Sequence, residues 1–560
     1  MQDHWKQQFD VIVVGSGASG GWAAKRLSEA GVKVALLDCG RPQSDQNFTE
    51  HMAEFQLPYR NSVPEVINRT RPIQKDCYAC TEFNYRWFCN DIDEPYTTSP
   101  GTQFSWQGRV RMIGGRTNVW GRISLRLSDL DLKAASFDGY GVDWPIAYKD
   151  LAPYYDLVEE YVGVTARAEG DPYLPDGKFQ PEMPLRCVEA HVRERAKEKL
   201  GRLVTPSRRA NLTRTLNGRA PCHYCGPCNR GCVTHSYFNS SFTTVADAVA
   251  SGRCTLIPNA MAYQVVMEAE RNRARGIVYI DRNTREVKEV RGRVVVLAAQ
   301  ALESVRILLN SASRQYPNGL ANSSGALGHY LMDHIMGGGA TGEFPEFAEK
   351  PSLAGPHRPG GVYVARFRNL PESRSKSFLR GYGLQGTGDS HFNLHAPGFG
   401  EAYKKALAAA NSSVHLTGFG ECLARWENYV DIDPNVRDSF GIPVLRMHVT
   451  YGENERAMTR DMTEGAIEIM EAAGAKNIQP KVKMSIPGWS IHEVGIARMG
   501  NSPKDSVLNP FQQTHDARNL FVMDGSGFPS SGCQNPTLTI MALAVRSCDY
   551  LMSEMKKGNI

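Results

Sequence analysis

The stretch Asp10-Val-Ile-Val-Val-Gly-Ser-Gly-Ala-Ser-Gly-Gly21 decides the fold. An apolar β-type run breaks into glycines and opens a helix-like segment, Trp22 to Ala30, which is the setting a G-x-G-x-x-G dinucleotide turn requires. Gly15 permits the tight turn, Gly17 lets backbone approach a pyrophosphate, and Gly20 lets the helix pack close to the strand, with Ser19 among them. Phosphate charge then meets the free N–H groups at the helix start. A second strand, Val32 to Leu37, ends in Asp38, at the separation of about 20 residues expected of an acid that hydrogen-bonds a ribose. A carboxylate there disfavours a 2′-phosphate. The turn predicts an α/β, doubly wound nucleotide-binding domain without separating FAD from NAD.

The rest of the chain sets limits on function. Its 560 residues carry 64 Lys+Arg against 59 Asp+Glu, a net charge of +5 with no long basic run, which argues against nucleic acid as a partner. No segment approaches the ~20 continuous apolar residues of a membrane helix, so no transmembrane segment is expected. The glycine-rich strand begins too early to leave room for a signal peptide, and the expectation is a chain without its own export signal.

Four of the thirteen cysteines fall in Cys222-His-Tyr-Cys225-Gly-Pro-Cys228-Asn-Arg-Gly-Cys232. The spacing C-x2-C-x2-C-x3-C matches the ligand run of bacterial iron–sulfur proteins, except that Val233 stands where proline often follows. An iron–sulfur cluster, 3Fe–4S or 4Fe–4S, is the expectation. A tetrahedral zinc site, paired disulfides and four unrelated buried thiols are its rivals. Cys77 and Cys80, with Cys89 nearby, form a looser group read as structural, with a local disulfide or an extra metal contact as alternatives.

A second glycine block, Gly108 to Arg122, contains Gly114, Gly115, Asn118 and Trp120 and suits close approach to a planar or phosphate-bearing ligand. Leu151 to Val162 has helical spacing, and Cys254 to Tyr279 reads as a small antiparallel meander. Val294 to Ala299 is a continuous apolar run suited to a buried parallel strand, followed by a helix, Ala301 to Leu309. Gly337 to Gln385 is irregular. His415 to Glu421 and Val444 to Thr450 alternate as strands of one separate sheet, and Arg456 to Ala473 is an amphipathic helix that roofs the nucleotide domain. Glu421 is read as solvated or salt-bridged, and His223, His235 and His334 carry no assignable role.

The last block holds most of the chemistry. His492 lies in Ile491-His-Glu-Val-Gly495; a strand, Leu520 to Met523, ends in Asp524-Gly525; and Cys533-Gln-Asn535-Pro536-Thr537 opens an apolar helix. Asn535 is a natural N-cap with Pro536 in the first turn. The positive helix end then faces whatever the glycine loops bind. A neutral imidazole suits removal of a hydroxyl proton, whereas an amide can orient a hydroxyl but cannot act as a base.

With these motifs in order, Gly15 to Asp38, Gly108 to Arg126, Asp143-Trp-Pro, Ala298 to Leu309 and His492 to Thr537, the chain resembles the glucose–methanol–choline (GMC) oxidoreductases, FAD enzymes that oxidise alcohols. The likeness extends over nearly the whole chain and is greatest to bacterial sugar dehydrogenases with a cysteine-ligated cluster, such as glucoside 3-dehydrogenases. It implies His492 as catalytic histidine and Asn535 as the second active-site residue. It also implies FAD held by Gly15, Gly17, Ser19, Gly20, Asp38, Gly114, Gly115, Asn118, Trp120, Asp524, Gly525, Pro536 and Thr537. Some relatives tether FAD through a histidine in the second glycine block, and none stands between Arg116 and Val119, so non-covalent FAD is expected.

The expected architecture is a Rossmann-like FAD-binding domain (5–45, 105–130, 220–335, 490–556) interleaved with a substrate domain and cap on an antiparallel sheet (46–104, 131–219, 336–489). The expected function is a dehydrogenase that oxidises a secondary alcohol of a sugar or glycoside, at C3, and exports electrons through the cluster. A small companion subunit and a cytochrome-type acceptor are the implied partners, with a periplasmic site by co-export or else a cytoplasmic one. The alternatives are an FAD alcohol or sugar oxidase, or a C1 aldose dehydrogenase, with a structural metal at the quartet, and a non-catalytic flavin-binding subunit.

Overall fold

Val11 to Val14 are fully or almost fully buried because the strand has covered faces on both sides, and its apolar run therefore has no alternation. A computed structural model describes residues 8–59, 69, 71–268, 272–347, 359–388, 398–410 and 412–560. The start of the expected nucleotide domain at 5–7 and part of the Gly337–Gln385 stretch lie outside the described residues.

Gln8–Val14 forms the centre of a seven-stranded sheet. Val34–Leu37 pairs parallel on one side and Val287–Leu297 parallel on the other, with Val11 opposite Val34 and Val294. Cys254–Ile257 extends the sheet parallel beyond Val34–Leu37, so it is a nucleotide-sheet strand and not part of the expected meander. The meander itself is Ala260–Glu268 and Arg273–Asp281, antiparallel on the first half of Val287–Leu297. Leu520–Val522 pairs parallel with the second half of that same strand and brings the C-terminal chemistry to the sheet. Helices Ala18–Glu29 and Thr537–Lys557 pack against each other beside it.

A six-stranded antiparallel sheet forms the roof, in the order Lys476–Lys481, Ile335–Glu343, Ser413–Gly420, Tyr382–Gly388, Val362–Val364, Val204–Pro206. Three of these strands, Ile335–Glu343, Val362–Val364 and Tyr382–Gly388, fall wholly or partly where the sequence reads as irregular. Ile335–Glu343 is glycine-rich because neighbours come too close for side chains: a Cβ on Gly339 would lie 2.1 Å from Leu416 O, and one on Gly338 would lie 2.5 Å from Thr459 O. Helix Glu453–Ala473 packs on this sheet, its Met462 seated against Gly418 and Gly420. The expectation of one separate sheet is corrected in a second way. Pro443–His448 pairs with Tyr429–Arg437 and Thr97–Thr98 in a three-stranded sheet, apart from Ser413–Gly420.

Candidate active site

One cavity runs from the first glycine turn to the C-terminal block. It is lined by Gly15, Gly17, Ser19, Asp38, Gly115, Trp120, Asp524, Gly525, Pro536 and Thr537 of the expected cofactor set, together with His492 and Asn535. Gly20, Gly114 and Asn118 stand behind this wall. A Cβ on Gly20 would meet Gly15 O at 1.8 Å, so Gly20 is needed for the turn to close on its helix. Gly114 takes a left-handed φ of 88°. Asn118 is fully buried and ties its block together, donating through Nδ2 to Ile113 O and Gly115 O and accepting from Asn239 Nδ2.

The cavity's features fit a dinucleotide. A Cβ on Gly17 would meet nothing within 4 Å, leaving open space where a phosphate group approaches. Asp38 accepts from Ser16 N and Oγ at 2.8 and 2.6 Å and from Gly40 N at 2.6 Å, which fixes its carboxylate at the cavity edge while burial raises its pKa. Gln300, at φ 83°, opens helix Ala301–Asn310 and lines the cavity. Its amide oxygen and nitrogen are shielded from solvent with no partner among the described residues, an arrangement that awaits a polar ligand. Arg109, Arg111 and Glu303 line the same end. Burial alone would raise the pKa of Glu303, but the guanidinium groups of Arg111, Arg306 and Arg109 hold it well below the carboxylate range. Sequence reading missed Gln300 and this ion cluster; the alternation Arg109-x-Arg111 just before Gly114 was the available signal.

At the other end, His492 and Asn535 meet: Asn535 Nδ2 lies 3.4 Å from His492 Nε2. Asn535 is not the side-chain N-cap the sequence led us to expect. Helix Thr537–Lys557 starts after Pro536 without a side-chain cap, and Asn535 Oδ1 instead accepts from Gln385 Nε2 of the roof at 2.6 Å. Phe419, also from the roof, lies with its ring centroid 6.2 Å from that of His492.

The turn that carries His492 is held from several sides. Ile491 takes φ 63°, a strained value for a β-branched residue. Asp333 stabilises that turn by accepting from Ser490 N, Ser490 Oγ and His492 N. Arg116 donates to Ile491 O at 2.9 Å and pairs with Glu493 at 2.6 Å. Burial raises Asp333 to about 6, with the Glu493 charge adding to the shift. Behind His492 stands His334: the two Nδ1 atoms are 2.9 Å apart, and His334 Nε2 is 2.9 Å from Gly532 O. Burial lowers His334 to about 4. Burial also puts His492 well below the usual imidazole value, and His334 and Arg116 push in the same direction. His492 is therefore neutral at neutral pH.

Glu421 is buried, not solvated, and lies 3.5 Å from Arg380 Nε; burial raises it to about 7 against the pull of Arg380. The salt-bridged half of its expectation holds.

The cysteine quartet occupies a coiled loop with left-handed φ at Tyr224, Gly226 and Gly231. All four thiols are free, Cys232 buried and the others half-buried. Tyr224 N donates to Cys222 Sγ at 3.4 Å and Ser236 N to Cys232 Sγ at 3.3 Å. Burial pushes Cys222 up to about 11 and Cys225 up to about 12, and the neighbouring thiolates add to both shifts. Among the described residues the four sulfurs are not drawn together at ligand distance; Cys225 lies instead with His51 and His223 in a trio whose ligand atoms are within 4.8 Å of one another. Tyr237, whose hydroxyl donates to Asn118 O at 3.2 Å, ties the segment that follows the quartet to the block behind the cavity wall. Asn84 Nδ2 makes a second link, donating to Asn229 O at 3.1 Å and Ala79 O at 2.8 Å. Cys77, Cys80 and Cys89 are buried free thiols; Cys77 and Cys80 pack with Trp87, Phe88 and Met112, and Cys89 Sγ lies 3.7 Å from Glu94 Oε2. No helix among the described residues is long and apolar enough to cross a membrane.

Comparison with known proteins agrees with this geometry. The N-terminal GMC oxidoreductase family profile matches residues 9–336 and the C-terminal one matches 424–544. The chain is 31% identical to 2-methyl-1,2-propanediol dehydrogenase of Mycolicibacterium austroafricanum, over 97% of this chain and 95% of the relative. It is 28% identical to the fructose dehydrogenase large subunit of Gluconobacter japonicus, over 98% of each. Among solved structures, pyridoxine 4-oxidase shares the fold with a TM-score of 0.62 at 17% identity, covering 97% of this chain and 99% of the other. FAD is accordingly the dinucleotide the cavity takes, alcohols or sugars are the donors, and the chain belongs to the GMC oxidoreductases.

Proposed function

We propose that the protein is an FAD-dependent dehydrogenase that oxidises a secondary alcohol of a sugar or glycoside, at C3, and passes electrons out through a cluster at Cys222, Cys225, Cys228 and Cys232. The observation that carries the oxidation is the buried, neutral His492 beside Asn535 at one end of the dinucleotide cavity. Bound FAD, held without a covalent link by the Gly15–Gly17 turn, Asp38, Gly115, Gln300 and the start of the Thr537–Lys557 helix, would supply a two-electron hydride acceptor. His492 Nε2 takes the hydroxyl proton. Asn535 Nδ2 donates to the carbinol oxygen and holds the C–H bond in place. With its pKa depressed by burial, the imidazolium that forms gives its proton up readily to solvent.

Three features support the cluster reading: four free thiols within eleven residues, backbone donors to two sulfurs, and links toward the cavity through Tyr237 and Asn84. An iron–sulfur centre held by these thiolates, 3Fe–4S or 4Fe–4S, would supply one-electron steps. A relative named as a large subunit favours a small companion subunit, and the exit of single electrons favours a cytochrome-type acceptor. Export to the periplasm with the companion subunit is the localisation we propose; native protein found only in the cytosol would replace it with the cytoplasmic alternative.

A second reading, oxidation of a small diol, is favoured by the 31% identity to a propanediol dehydrogenase. Anaerobic flavin bleaching against glycosides, free sugars and small diols, with NMR of the product, decides between them. A 3-keto-glycoside is the expected product, and bleaching by diols alone overturns the glycoside reading. Iron and sulfide analysis of anaerobically purified protein tests the cluster, and one equivalent of zinc without sulfide removes it.

A further inference from the structure

We infer that His334 is the positioning residue that fixes His492 as its Nδ1–H tautomer, leaving Nε2 bare and aimed at the alcohol site. The inference rests on His492 being the base. It follows from the direction of the hydrogen bonds. Gly532 O can only accept, so His334 Nε2, 2.9 Å away, carries the proton of that ring. His334 is neutral and fully enclosed, so its Nδ1 is bare and can only accept. His492 Nδ1, 2.9 Å from it, must therefore donate. In a neutral imidazole that leaves Nε2 without a proton.

The roof fits the same polarity. Gln385 Nε2 donates to Asn535 Oδ1 at 2.6 Å, so Asn535 presents its Nδ2 donor to His492, and a donor there requires a bare Nε2. The chain Gln385, Asn535, His492, His334, Gly532 thus has one polarity throughout, set by the Gly532 carbonyl at its end. The other titratable groups around it do not compete. Asp333 accepts from the backbone and hydroxyl of the 490–492 turn, Arg116 is paired with Glu493, and Tyr451 OH lies 3.5 Å from His334 O, not from its ring. A third group that orients the base is the logic of catalytic triads, but here the orienting group is a neutral imidazole and adds no charge.

Loss of the correct tautomer in a triad costs about 10⁴-fold in turnover. Anaerobic stopped-flow reduction of the FAD holoenzyme tests the inference with two variants. His334→Leu removes the acceptor and is expected to slow flavin reduction by at least about 10²-fold, with KM nearly unchanged. His334→Asn returns an acceptor oxygen near the Nδ1 position and is expected to recover at least tenfold of that loss. Equal activity in both variants, whether like wild type or equally impaired with FAD retained, overturns the inference. Nitrogen-15 NMR of histidine-labelled wild-type holoenzyme gives a reading independent of variant folding: His492 with its proton on Nδ1 is expected, and a proton on Nε2 overturns it. If His492→Ala instead leaves flavin reduction unchanged, the base assignment fails while the NMR result still judges the tautomer.

Discussion

The corner around His492 and the loop of the cysteine quartet both hold ionisable groups beside one cavity, yet they are built in opposite ways. At the corner every ring nitrogen and amide in the chain from Gln385 to Gly532 has a partner of matching polarity, and burial keeps both histidines neutral. In the loop the thiols are mostly half-buried, burial pushes Cys222 and Cys225 up, and the neighbouring His51 and His223 are exposed. The first arrangement is complete as it stands, which suits pre-organised proton transfer. The second leaves free thiols beside exposed imidazoles, and it is there that the proposed cluster would sit.

Breaking the corner should leave the loop untouched. His492→Ala is expected to slow substrate-driven flavin reduction by about 10²–10⁴-fold, the usual weight of a general base, with bound FAD and iron content unchanged. Asp333→Asn, which puts an amide donor where Ser490 and His492 also donate, is expected to cost about 1–3 kcal/mol of stability, read as a lower Tm.

The pH response of flavin reduction should come from the corner. His492 works as its neutral form and its pKa lies well below the usual imidazole value. The rate of flavin reduction is therefore expected to be flat through neutrality and to fall only on the acid side, as the imidazole takes up a proton. Stability has the same sign for His334: its folded value of about 4 lies below its unfolded one, so the unfolded chain binds the proton first. That contribution is lost as pH falls from about 6.5 toward 4. Asp333, raised to about 6, has the opposite sign and loses stability as pH rises through that value. Urea titrations across this range on wild type and His334→Asn separate the two. The smallest effect belongs to the second cysteine group. Cys77→Ala is expected to cost on the order of 1 kcal/mol and to leave iron content unchanged, since Cys77 packs in an aromatic cluster apart from the quartet.

The sequence made the strands and glycines legible wherever the constraint was local. Gly15, Gly17 and Gly20 lie in one turn, and the buried strand before them has an apolar run that needs no partner to be recognised. His492 and Asn535 were legible only through motif resemblance, because 43 residues separate them. Their supports were not legible at all. His334 is 158 residues from His492 and Gln385 is 150 from Asn535, and neither sits in a local pattern that advertises a polar contact. Asn535 looked like a helix cap because capping is judged from neighbours, whereas its oxygen is taken by the roof. The roof strand Ile335–Glu343 was missed because glycines demanded by close neighbours erase the alternation that marks a strand. Cys254–Ile257 was assigned to the wrong neighbours because its partner, Val34–Leu37, lies far back in the chain.

The division of labour between corner and loop is tested most directly by anaerobic stopped-flow on Cys228→Ser. The account predicts that substrate bleaches the flavin of this variant at close to the wild-type rate, while iron is lost and reoxidation by a one-electron cytochrome acceptor is abolished. Wild-type turnover with that acceptor in the iron-free variant would contradict it.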